Sequence, residues 1–546
     1  MSEPVATDAG PHARPGPSAP AGPPGPSAPA GPPVAEPEWR RLSPGMLLVE
    51  PVREILRFIP MLAVLIIAGA GRSDGPPWGL IGTAVVVALG IGRYLSTRYR
   101  ITPTVVEVRR GLVQRRHLTV PRDRIRSLDV SAHPLQRMLR LVRVDIGTGG
   151  RHAHESGVRL DGLPAGAVPA LRAELLHRPA AATSADSGHP PDQPTGSPEV
   201  ELARLRPGWI ALAPATLSGA ITGLVAIGFG FRLMREARLN PAEFGPVRQA
   251  LGYLQGHSVG ADIALAVAAV LLVVTVLSVA GYVVSFWGFR LSRHPGGTLQ
   301  VTRGLLTTRS TSIEERRLRG LQRREPLVLR WAHGARLHAV ATGLRRSEGA
   351  DGGGGSALVM PPAPTPDVLR VEAAVLGDER LVHTPLTAHG PAARRRRYLR
   401  ALGGALVVAA GLVAAHRWAG LPPLLAPVWV VLALAGGWAL AADRARNLGH
   451  AIVDGYLVTR LGSLHRRRTV LALEGIVGVT VRRTPFQRRA GLATLIATTA
   501  AGSQHYDLPD LPAARAVELI GVLVPAGLDL IAPDGPPPDR SDRNRT

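Results

Sequence analysis

Apolar runs long enough to cross a bilayer leave a chain few options, because in hydrocarbon every backbone N–H and C=O must find its partner inside the protein. This sequence holds such runs in three pairs. Phe58 to Gly71 and Trp78 to Leu95 flank the short turn Arg72-Ser73-Asp74-Gly75-Pro76-Pro77. Trp209 to Phe231 and Ile263 to Phe289 make the second pair, and Leu399 to Ala415 with Leu421 to Ala442 the third. The first run reaches spanning length only with Ile55 and Leu56. Each pair reads as a helical hairpin, so six transmembrane helices are expected.

After each pair comes a basic, β-like segment, and the three segments are copies of one module. In the first, Val105, Glu107 and Leu112 to His117 alternate apolar and polar, and Leu141 to Ile146 reads as a further strand. Placing Gly111 over Gly304 and Gly462 brings Pro134, Pro326 and Pro485 within one position of each other. The copies also share an ending, with Leu163-Pro164, Met360-Pro361 and Leu508-Pro509 each joining a strand to a helix. The closing helices are expected at Val168 to Arg178, Val368 to Leu376 and Ala513 to Val524. Gly352 to Gly355 interrupt the second copy before a strand Ala357 to Met360, which Pro361 should end. A chance self-match of an Arg/Leu/Val-rich sequence would not keep one order of elements three times.

The expected organisation follows. Residues 1–37, rich in Pro, Ala and Gly, form a disordered tail. Hairpin 46–97 precedes module 98–178, and a linker covers 179–200. Hairpin 208–289 precedes module 290–377, hairpin 394–444 precedes module 445–525, and 533–546 is a loose tail. The fold class is an α+β membrane protein. Arginine placement orients it, since Arg394 to Arg397 precede the third hairpin and Arg444 and Arg446 follow it, with only Arg417 in its turn. The positive-inside rule then puts both termini and all three modules on the cytoplasmic side of a multi-pass cell-membrane protein.

Composition narrows the chemistry. All 64 basic residues are arginine and the net charge is +24, which suits an anionic inner leaflet. Without cysteine there is no thiol nucleophile and no thiolate metal site. His152, His154 and Glu155 lack the spacing of a zinc motif, and no phosphate-cradling glycine loop or nucleophile elbow occurs. No enzyme activity, metal or cofactor is expected. Nucleic acid is not an expected partner either, because aromatic residues that could stack on bases are few.

His133-Pro134-Leu135-Gln136-Arg137-Met138-Leu139-Arg140 and Thr484-Pro485-Phe486-Gln487-Arg488-Arg489-Ala490-Gly491, with the strands after them, resemble the bacterial membrane-anchored PH-like domain family. The likeness is to its YdbT-type members, which carry several such domains. The second copy departs, with Val328-Leu329 where Gln-Arg is expected. The resemblance implies PH-like domains, each a bent antiparallel sheet closed by a C-terminal helix. It also implies binding of lipid headgroups or peptides, in a setting of envelope stress or antimicrobial resistance.

The candidate contacts for lipid or partner are Arg115, Arg116, Arg122, Arg124, Arg126, Arg466, Arg467, Arg468, Arg488 and Arg489. Arg122, Arg124 and Arg126 alternate and would line one face of a strand. The function expected is an interaction platform for anionic membrane lipids and for a membrane or cytoplasmic protein. The competing expectation is a component of a transport or export system whose spans line a pathway.

Overall fold

The computed structural model describes residues 97–147 (without 103, 111–115, 123–124 and 126), 158–171, 199–216, 259–343, 357–420 and 426–524, with scattered residues in 39–49, 225–232 and 422–423. Strands β1 (Arg40–Arg41), β2 (Arg98–Ile101), β3 (Val105–Arg110) and β4 (Arg116–Pro121) make an antiparallel sheet in that order. Along β3, Val106 and Val108 are buried while Glu107 points to the wetter face and pairs with Arg100 at 2.8 Å. That is the period-two alternation read from the sequence.

Strands β5 (Ser127–Ala132), β6 (Leu141–Gly147) and β7 (Val158–Pro164) complete the first module but lie in a different sheet. There β5 pairs with β11 (Thr308–Glu314), which belongs with β8 (Val200–Arg204), β9 (Arg290–His294) and β10 (Thr298–Arg303) to the second module. The result is one seven-stranded sheet in the order β7-β6-β5-β11-β10-β9-β8. The arrangement repeats one module further on. Strands β12 (Leu318–Pro326), β13 (Gly334–Ala341) and β14 (Ala357–Pro364) join β15 (Thr387–Ala388), β16 (Gly449–Val453), β17 (Tyr456–Leu461) and β18 (His465–Ala472) through a β12·β18 pairing. The last strands, β19 (Ile476–Arg482), β20 (Leu492–Thr499) and β21 (His505–Pro512), form a sheet of three.

Hydrogen bonding therefore runs between modules, whereas the main cores stay within them. Val106, Val108 and Val120 pack with Leu128, Ile146 and Leu160 in the first module. Leu291, Leu299 and Val301 pack with Leu337, Val359 and Val371 in the second, and Leu457 with Leu495, Leu508 and Leu519 in the third. Full burial of each such side chain stabilises by about 1.5–3 kcal/mol. Each core sits between two sheets, and the second and third lie under a closing helix, as the resemblance implies.

Among the described residues the helices with defined bounds are α1 (Pro134–Met138), α2 (Val259–Phe286), α3 (Leu327–Trp331), α4 (Thr365–Leu376), α5 (Glu379–His383), α6 (Pro391–Trp418), α7 (Ala426–Arg446), α8 (Pro485–Arg489) and α9 (Ala513–Leu523). Among the described residues three helices are long and apolar enough to cross a membrane: Val267–Phe286 within α2, with mean hydropathy 2.6, then α6 at 1.8 and α7 at 1.5. Their Leu271, Leu272, Val407 and Val431 side chains stay exposed, as hydrocarbon-facing residues would be. Helices α6 and α7 pack tightly where Gly437 meets Ala405. The expected pair within 46–97 lies outside the described residues, as do most residues of 217–258 and both expected tails.

Several boundaries differ from the sequence reading. Strands β1, β8 and β15 precede their apolar runs in the chain, so each module starts before those runs, and Val200 belongs to a sheet instead of a linker. Residues Pro207–Ala215, expected to open a span, form a 3-10 helix instead. Trp209 there is buried against Phe289 and donates its indole N–H to Asp367 at 2.9 Å, and Pro214 denies a continuous α-helix. Strand β14 continues through Pro361 and Pro362 to Pro364, because those prolines lie at a bulge against β13, where donors are not needed. In the second copy the positions shift by one: Leu329 replaces the glutamine, and Arg330 keeps the arginine.

Candidate functional site

The mid-module proline marks a short helix that each copy builds alike. In α1, the N-cap His133 amide donates to Gln136 Oε1 at 3.1 Å, and in α8 the Thr484 amide donates to Gln487 Oε1 at 3.0 Å. These reciprocal caps satisfy donors that a five-residue helix leaves free. Leu329 takes the same position in α3 by packing, fully buried, beneath Gly334. Each helix then ends through a left-handed residue, Arg140 at φ 53°, His333 at 55° and Gly491 at 65°. Their carbonyls accept from Ala165, Thr365 and Ala513 at 2.8–2.9 Å, which ties each short helix to the start of the closing helix.

That cap holds large apolar side chains out in solvent. Met138 and Trp331, at one position of the repeat, are 82% and 69% exposed, and Phe486, equivalent to Val328, is 72% exposed. Beside them stand Arg137, Arg330 and Arg488. Arg137 donates to the Leu305 carbonyl in a turn that itself hydrogen-bonds the end of α2. Arg330 pairs at 3.0 Å with Asp443 near the end of α7. The tips of α1 and α3 therefore sit at the ends of the apolar helices.

In the third module these features converge on a cleft of about 1190 Å³ between the start of α6, α8 and β21. Arg395, Arg396, Arg400, Arg482 and Arg489 line it, together with Leu399 and Phe486. Its floor is Asp510, almost fully buried in the bulge of β21 against β20 with φ 61°. Asp510 ion-pairs with Arg396, accepts from Arg397 Nε at 3.1 Å and accepts from Gln487 Nε2 at 2.9 Å. One carboxylate thus locks the first turns of α6 to the module, while Arg395, Arg400 and Arg489 keep exposed guanidinium groups beside apolar surface. Such a combination can bind an anionic group carried on an apolar body.

The bulge of the last strand pair couples to the flanking segments in every copy. Gly162 O accepts from Ser43 N at 3.1 Å, Pro362 O from the Tyr282 hydroxyl at 2.8 Å and Pro509 O from His389 Nδ1 at 2.9 Å. His450 Nδ1 then donates to His389 Nε2 at 3.0 Å. Burial holds both imidazoles below the ordinary histidine range, His389 at about 4.

The arginines singled out in the sequence separate into groups. Arg468 is buried, donating to the Leu381 and Thr384 carbonyls at 3.1 Å, and burial beside Arg323 lowers its pKa to about 10. Arg466 pairs with Glu325 across the module boundary. Arg467 and Arg488 are exposed, and Arg489 lines the cleft. Arg122 follows the end of β4 at Pro121, Arg116 lies in β4, and Arg115, Arg124 and Arg126 lie outside the described residues, as does the His152-to-Glu155 segment. Among the described residues no group of three or more His, Asp or Glu is placed to hold a metal ion. Sequence reasoning did not single out Arg395, Arg396 or Arg400 as contacts, and used Arg395 and Arg396 only for orientation. Their signal was the run of four arginines abutting an apolar run.

No curated protein and no solved structure matches the chain. Residues 48–179 and 402–523 both match the family model described as the bacterial PH domain. Those stretches hold the first and third cores with their capped short helices, so two separate regions of the chain are similar to bacterial PH domains.

Proposed function

We propose that the chain is a non-enzymatic, multi-pass membrane protein whose three PH-like modules form a platform at the cytoplasmic membrane surface and take up anionic lipid headgroups. The observation that carries this reading is the cleft of the third module, where Arg395, Arg400 and Arg489 stand exposed beside Leu399 and Phe486 at the foot of α6. A headgroup there would meet guanidinium donors while its acyl chains continue along an apolar helix. Orientation follows the same arginines: Arg394 to Arg397 at one end of α6 and Arg444 and Arg446 at the matching end of α7, against Arg417 alone at the other. Trp331, Phe486 and Met138 add apolar and aromatic side chains of the kind that sit at headgroup level. A platform held by lipid would present its outer faces to a protein partner, in keeping with a role in envelope stress or antimicrobial resistance.

The test is lipid retention by the full chain in nanodiscs of mixed neutral and anionic phospholipid, read by native mass spectrometry. Arg395→Gln, Arg400→Gln and Arg489→Gln together should lower anionic-lipid occupancy roughly 100-fold, at about 1 kcal/mol per basic residue. Equal retention of neutral and anionic lipid by the unsubstituted chain would remove the reading.

A further inference from the structure

The modules are joined by a pairing rule that the chain applies twice and leaves open at both ends. Strand β5 pairs with β11, and β12 with β18. The register is the same in both. Leu128 and Leu321 stand seventeen residues after Gly111 and Gly304, and their partners Ser312 and Val470 stand eight after Gly304 and Gly462. Among the described residues the third strand of this kind, β19, pairs only with β20, and the third acceptor, β4, pairs only with β3.

We propose that β19 of one chain pairs with β4 of a second copy, extending the sheet head to tail from molecule to molecule. The shared register places Val479 opposite Thr119, Val481 opposite His117 and Arg482 opposite Arg116. Facing arginines are no obstacle at that last pair, because the equivalent positions within the chain already hold Arg324 opposite Arg467. Strand β19 also lacks the protection that free edges carry. Val477 is 72% exposed and Val481 41% exposed on a strand whose interior has no proline and no charged residue, whereas the equivalent β12 is largely buried by its partner. Because the two edges differ, the contact is heterologous, and it generates a ring or an open array in the membrane plane.

The chain contains no cysteine, so engineered pairs are free of background. Two differently tagged full-length chains, one carrying His117→Cys and the other Val481→Cys, are co-expressed and oxidised in intact membranes. Directly opposed positions on paired strands lie within disulfide reach. A mixed-tag cross-linked dimer is expected, with severalfold less from Thr480→Cys in place of Val481→Cys, since a one-residue offset turns the side chain to the other face. Absence of the mixed species at equal membrane insertion overturns the proposal. A further chain carrying both His117→Cys and Val481→Cys is oxidised in parallel, and a cross-link formed only within that single chain also overturns the proposal, since it would mean closure of one chain on itself. Should a variant fail to insert, the unsubstituted chain in nanodiscs decides by mass: a strict monomer at all concentrations rejects the contact.

Discussion

The two junctions inside the chain have one register and different chemistry. Where β5 meets β11, every facing pair holds a hydroxyl side chain and none sets charge against charge: Ala132 with Thr308, Ser131 with Arg309, Val130 with Ser310, Asp129 with Thr311 and Leu128 with Ser312. Where β12 meets β18, charge is buried: Arg323 donates to Glu325 at 2.9 Å and to Glu372 at 2.7 Å, and Arg466 closes on Glu325. Burial pushes the Glu372 carboxyl upward against the pull of Arg323. The comparison separates two roles. Backbone geometry sets the alignment of successive modules, while side chains decide how costly that alignment is to disturb.

The largest effect is expected at the charged junction. Arg323→Ala leaves Glu372 and Glu325 buried without their shared partner and should cost about 3–5 kcal/mol. Thermal unfolding in detergent measures this, with Arg309→Ala at the hydroxylic junction as the contrast, expected to lie within about 0.5 kcal/mol of the parent. An equal loss at both sites would show that the chemical difference between the junctions is immaterial.

Next comes Gly320, whose φ of 155° brings its Cα so close to β18 that an added Cβ would lie 2.0 Å from the Val470 carbonyl oxygen. Gly320→Ala should destabilise by about 1–3 kcal/mol as the strands are forced apart. Gly478 holds the same repeat position on the open edge, where an added Cβ meets nothing within 4 Å. Gly478→Ala should change stability of the isolated chain by less than about 0.5 kcal/mol. Chemical denaturation of both variants sharpens the contrast between a paired and an open strand.

A pH-dependent difference is expected at the far edges of the two seven-stranded sheets. One edge is held by exposed ion pairs such as Arg290 with Glu201 at 3.0 Å, which contribute little. The other is held by the His389–His450 chain. The unfolded chain binds protons at these imidazoles near pH 6.5, whereas folded His389 resists them down to about 4. Stability is therefore full above about pH 6.5 and declines as pH falls toward 4. His389→Gln should flatten that decline in a melting-temperature profile, and an unchanged slope would assign the acid sensitivity elsewhere.

Much of the repeat was legible because it rests on local rules. Gly304 and Gly462 lie at turns where an added Cβ would come within 2.1 Å of a carbonyl, so only glycine fits. Pro134 and Pro485 open capped helices. The final strands end at Pro164, Pro364 and Pro512, so the expected junctions Met360-Pro361 and Leu508-Pro509 fall inside the last strand, three residues early. The cleft was less legible. Its arginines come from positions 395 to 489, and nothing in their spacing says that Asp510 will hold α6 against β21. The strands β1, β8 and β15 escaped notice because two to five residues carry too little periodicity.

By itself, then, the sequence determined most of the element types, the repeated order of elements, the family resemblance and three long apolar helices, all of which follow from side-chain pattern within a few turns of chain. Which strands share a sheet was decided only in three dimensions. A β-strand offers the same donors and acceptors on either edge, so the pattern of one module cannot state whether β5 will bond its own β4 or the β11 of the next. The core fixes each module, and the edges left over by that packing choose the neighbour.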